Sequence, residues 1–101
     1  MFDTLSFAEI SNELNTNFRV LESTEQVQLK LIEANELRID DRQEVFSIVF
    51  LGPKDLLLPQ ESYELEHEKF GRGLLFLVPI AQNEDGYRYE AVFNRLIDQT
   101  T

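Results

Sequence analysis

The chain has 101 residues and a mass of 11.8 kDa, one domain's worth of protein spanning 1–101, and area scaling buries about two-thirds of its surface on folding. It carries 19 acidic against 9 basic residues, a net charge of -10 spread along the chain without a basic cluster, so it lacks the phosphate-neutralising surface that a nucleic-acid or anionic-membrane binder needs. It has no cysteine, which excludes disulfides, thiolate metal sites and thiol nucleophiles and fits a cytoplasmic protein.

Met1-Phe2-Asp3-Thr4 lacks the basic start and apolar run of a signal peptide. Ser6-Phe7-Ala8-Glu9 has the spacing of a capping box, with Leu5 and Ile10 placed as a hydrophobic staple. Phe7, Ile10 and Leu14 then recur at helical spacing, which predicts one short helix over residues 7–14.

The remainder, 18–94, reads as strands, with a short tail at 95–101. Phe18–Leu21 leads into a polar turn at Glu22–Glu25. Val27, Leu29 and Leu31 alternate with polar residues until Leu31-Ile32, where a bulge keeps both halves of the strand facing the core. Residues 35–43 read as a loop or a ragged hairpin. Glu44–Leu51 is apolar on both faces, so a cover is expected on each, and the helix is the candidate for one of them. Gly52-Pro53 ends that strand.

The connector 54–61 contains Leu56-Leu57-Leu58 where polar residues are expected. Three leucines there either plug one end of the fold or stay exposed as a partner-binding patch. Ser62–Phe70 alternates: Tyr63, Leu65 and His67 share one face, and Glu64, Glu66 and Glu68 the other. Gly71-Arg72-Gly73 reads as a turn, Leu74–Ile80 as a central strand, Asn83–Gly86 as a hairpin turn and Tyr87–Phe93 as the returning strand. The expected fold is mainly β: a six-stranded antiparallel meander forming a small barrel or sandwich, capped by one short N-terminal helix. Phe46, Phe50, Phe76 and Phe93 are expected to fill the interior.

Chemistry-bearing patterns are sparse. His67 is the one histidine, and Glu66 and Glu68 point to the opposite face, so Glu66-His67-Glu68 is no metal cluster. His67 reads either as an acid–base group or as a half-buried histidine bonded within the sheet. Glu64, Glu66 and Glu68 read as a cation site, a surface for a basic partner, or a solvated face. No Gly-x-Ser-x-Gly elbow and no phosphate-cradling glycine motif is present. Neither a catalytic constellation nor a cofactor or metal is expected. The candidate interaction residues are Leu56, Leu57, Leu58, Glu64, Glu66 and His67.

The second half of the chain has a distinctive cadence: Phe50-x-Gly52-Pro53, Leu58-Pro59-Gln60, Tyr63-x-Leu65-Glu66-His67, Phe70-Gly71, Leu75-Phe76-Leu77-Val78-Pro79-Ile80 and Tyr89-Glu90-Ala91-Val92-Phe93-Asn94. Over residues 45–94 this resembles a small bacterial family of single-domain proteins catalogued as a domain of unknown function. The resemblance implies a mostly β domain and no catalytic mechanism. Relatives beside genes for phage-tail-like collar proteins imply an assembly or accessory role. The function expected is therefore a non-enzymatic protein-interaction or assembly module with an acidic surface, binding a protein partner or a second copy of itself. A small-molecule-binding β-barrel is the alternative.

Overall fold

The computed structural model describes residues 2–21 and 26–96; the polar turn expected at Glu22–Glu25 and the end of the expected tail, from residue 97 on, lie outside the described residues. A 3₁₀ turn at Phe2–Thr4 precedes helix α1 (Phe7–Ser11). Strands β1 (Asn17–Val20), β2 (Gln28–Ile39), β3 (Gln43–Gly52), β4 (Glu61–His67), β5 (Gly71–Asn83) and β6 (Gly86–Leu96) follow.

The capping box forms as the sequence predicts. The Ser6 Oγ accepts from the Glu9 N–H at 3.1 Å, and the Ser6 N–H donates to the Glu9 carboxylate at 2.9 Å. The helix is shorter than expected, ending at Ser11 rather than Leu14. Tertiary bonds redirect the chain there: Asn15 N–H donates to the Leu31 carbonyl, and Leu31 N–H donates to the Thr16 carbonyl. Asn15 takes positive φ to make this turn. Leu14 is left partly exposed as a result.

The six strands form one antiparallel sheet closed in a ring, ordered β1-β2-β3-β6-β5-β4, with β4 returning to β1. This departs from a simple meander at one point. β3 does not pair with its successor β4 but lies along β6, from Gln43 opposite Leu96 to Gly52 opposite Tyr87. Pro53 halts β3, and the connector delivers β4 beside β1 instead. β5 carries the closure. Its first half, through Leu77, pairs β4, and its second half, from Val78, pairs β6, with an irregularity between Pro79 and Ala81. Proline donates no ladder bond, so it suits that irregular position.

The bulge expected near Ile32 is present as a register shift between Leu31 and Glu33, and Ala34 beyond it packs against the core. Of the two readings of residues 35–43, the ragged hairpin holds, with a register shift between Glu36 and Arg38. β2 runs to Ile39 and turns at Asp40, whose carboxylate accepts the N–H groups of Arg42 and Gln43 at 2.8 and 2.9 Å. The residues expected as a turn at Gly71–Gly73 open β5 instead, and the turn falls at Glu68–Phe70.

The inner face is filled. Phe18, Leu29, Leu31, Phe46, Ile48, Phe50, Leu65, Leu77 and Tyr89 are essentially inaccessible to solvent. Phe46 and Phe93 stack with centroids 4.8 Å apart, and Phe18 meets Phe50 edge-on at 5.1 Å. Burying each such side chain contributes about 1.5–3 kcal/mol. Helix α1 packs beside β2 and touches the start of β3 through Phe7, which meets Phe46 at 5.7 Å and whose N–H donates to the Glu44 carboxylate. Phe76, expected inside, faces outward and is half exposed. Alternation requires it, because Leu75 and Leu77 take the inner positions.

Candidate functional site

The six candidate residues occupy three separate places. The first is the connector over one end of the ring. Leu58 is buried and Leu56 packs against the core, whereas Leu57 is 50% exposed. The leucine run thus divides: two residues plug and one faces solvent. The plug is held by polar bonds at a buried position. Leu58 N–H donates to the Tyr89 hydroxyl at 2.9 Å, and the Tyr63 hydroxyl donates to the Pro59 carbonyl at 2.6 Å.

The second place is the outer face of β4. Glu66 sits between two guanidinium groups, Arg19 on β1 and Arg72 on β5, and Arg72 Nε lies 3.1 Å from its carboxylate. The two arginines, Arg72 foremost, hold the Glu66 carboxyl below the usual carboxylate range. Glu66 therefore works as a clamp across three strands. Glu64 shares that outer face and is half-buried.

The third place is the inner end of β4, where His67 lies 3% exposed. Its ring stacks on Phe70 at 4.6 Å and lies against Phe18 at 4.4 Å. Nδ1 accepts the N–H groups of Lys69 and Phe70 at 3.0 and 3.3 Å. An acceptor nitrogen carries no proton, so the network assigns the proton to Nε2. Nε2–H donates to the Thr16 Oγ1 at 2.8 Å, and that hydroxyl donates to the Glu13 carbonyl at 2.7 Å. Burial pushes the imidazole below its ordinary value, against the pull of Glu13 and Glu68. Beside it, an open cleft of about 510 Å³ is lined by Glu13, Thr16, Asn17, His67, Glu68 and Lys69. Among the described residues, no group of three or more histidine, aspartate or glutamate side chains is placed to hold a metal ion.

A fourth feature escaped the sequence reading. On the outer faces of β5 and β6, Leu74, Phe76, Val92 and Leu96 are 66%, 51%, 60% and 79% exposed. The β5–β6 ladder runs from Asn83 opposite Gly86 to Val78 opposite Glu90. Beyond that point, a groove of about 220 Å³ is lined by Leu74, Leu75, Phe76, Val92, Phe93 and Asn94. The signal lay in Leu74–Ile80, which is apolar throughout. A closed ring has one interior, so half of such a strand must face out. Glu44 was also missed: it is buried and ties Phe7 of α1 to Arg95 of β6.

A family model described as a domain of unknown function, DUF6916, matches residues 5–93. No curated protein and no solved structure matches the chain.

Proposed function

The chain belongs to the DUF6916 family, whose description assigns no activity, and on that footing we propose that it is a non-enzymatic protein-interaction or assembly module of the cytoplasm. The observation that carries this reading is the uncharged apolar row of Leu74, Phe76, Val92 and Leu96 across β5 and β6. Apolar surface left open beside a groove is characteristic of contact sites between proteins. The net charge of -10 favours a basic protein partner and disfavours nucleic acid or anionic membrane. Such a module suits the phage-tail-like assembly that the resemblance implies.

Two further observations support it. Aromatic and aliphatic side chains fill the interior, so the small-molecule alternative would rest on a surface opening such as the cleft beside His67. Both nitrogens of His67 are engaged in structural bonds, which weighs against acid–base work.

Native mass spectrometry of the protein purified from its own source at modest salt tests the reading. The expected spectrum carries a second protein or a multiple of the chain mass, and Phe76→Ser with Val92→Ser returns the bare chain. Leu57→Asp and charge reversal at Glu64 and Glu66 probe the connector and β4 surfaces in the same way. Retention of the extra mass in all these variants would remove every surface named here. A small mass increment in place of a protein would favour the small-molecule alternative.

A further inference from the structure

We propose that His67 is a proton-sensitive latch on the β1–β4 seam, and that protonation of its ring frees the Glu68–Phe70 turn. The seam is short among the described residues: β1 meets β4 through Phe18, Arg19 and Val20 opposite His67, Glu66 and Leu65, and the Leu21 N–H donates to the Glu64 carbonyl at 2.9 Å just beyond. On its inner side the imidazole ties together three stretches of chain. These are Glu13–Thr16 through Nε2, Phe18 through ring contact, and Lys69–Phe70 through Nδ1.

Every hydrogen in this chain of bonds has one available place. A second ring proton must go to Nδ1, where it would confront two backbone N–H donors. Both bonds to the turn are lost, and a charge appears between two phenyl rings on a largely buried imidazole. The ionisable groups around the ring are Glu13, Glu68 and Lys69. Glu13 Oε1 lies 3.7 Å from Nε2 and favours the charged ring, while Lys69 opposes it and binds Glu13 at 3.4 Å. Desolvation outweighs Glu13, so the closed latch holds a neutral ring.

On the outer side the seam is bridged by Arg19 and Glu66, whose carboxyl titrates below the ordinary range. That bridge stays intact as the pH falls through the histidine range, so the histidine is the element that changes. The sign follows from linkage. The neutral ring contributes its full share above about 6.5, the ordinary histidine value. The contribution is lost progressively as the pH falls below it.

The chain has a single histidine, so its ring gives one unambiguous Cε1–H resonance in the full-length protein. Hydrogen exchange read by NMR from about pH 7.5 to about pH 5.5 tests the latch across the ordinary histidine value. Below about 6.5, the protection factors of the Lys69 and Phe70 amides are expected to fall about tenfold per pH unit, the slope of one linked proton. Those of Ile48 and Phe50, held between β2 and β6, are expected to stay constant. His67→Gln is expected to abolish the pH dependence at Lys69. A ring that titrates at the ordinary value while Lys69 stays protected would overturn the proposal. So would an equal fall at Ile48 and Phe50, which reports global unfolding. Both readouts come from the wild-type chain, so the test stands even if His67→Gln does not fold.

Discussion

At Gly73, a Cβ would stand 2.8 Å from Cγ of Phe2, whose ring is 2% exposed. The glycine is there to admit the Phe2 ring, which also meets Phe18 edge-on at 5.8 Å. Gly73→Ala is therefore expected to cost about 1–3 kcal/mol, the usual penalty for overpacking a filled core. Chemical denaturation measures it, and Phe2→Leu in the same chain should recover part of the loss. An additive double mutant would show that the two positions do not communicate. The contrast with His67 shows what can be read at this scale. Alternation in Ser62–Phe70 was enough to put His67 inside, because strand parity is a local property. Its protonation state was not legible, because the deciding donors are backbone groups in a turn whose position the glycines at 71 and 73 misreported.

Among the elements, the connector between β3 and β4 is the least regular and the most constrained. It lacks secondary structure over most of its length, yet it places Leu58 in the core and bonds to two tyrosines. Tyr89→Phe removes the acceptor for Leu58 N–H and leaves a buried donor unpaired, at an expected cost of about 1–3 kcal/mol. Amide exchange at Leu58 is the direct readout; unchanged protection would mean that the tyrosine oxygen is not its partner. Element identity was largely legible because each strand carried its own alternation or apolar run. Neighbour identity was not. The pairing of β3 with β6 joins segments about forty residues apart along the chain, and no short-range signal in β3 distinguishes β4 from β6 as its partner. Phe76 shows the same limit, since an unbroken apolar strand does not declare which face is inner.

For the molecule as a whole, net charge opposes compactness. Ten excess negative charges on 101 residues repel one another, whereas exposed ion pairs such as Arg72–Glu66 are weak and screened by salt. Screening should therefore help more than it harms. Raising salt from about 0.01 to about 0.15 M shortens the Debye length from about 30 to about 8 Å. The thermal midpoint is expected to rise, and calorimetry across that range checks it. A fall would mean that the surface pairs matter more than the repulsion. Acid acts in the other direction at the individual carboxyls. Ser6 lowers Glu9, the backbone of Arg42 and Gln43 lowers Asp40, Arg72 and Arg19 lower Glu66, and Arg88 lowers Asp85. Their contributions are present above the ordinary carboxylate values and disappear as the pH falls through the depressed ones.

The order in which a ribosome delivers the strands gives the β3–β6 ladder a consequence for biogenesis. β3 emerges with Phe46, Ile48 and Phe50 on one side, but the strand that completes its pairing is the last of the six to be made. Until β6 has left the exit tunnel, the nascent chain holds an unfinished apolar sheet with open edges, the kind of surface that chaperones recognise and that aggregates when unattended. A premature stop before Gly86 would leave that intermediate permanent, so nonsense truncation should yield insoluble product rather than a smaller folded domain.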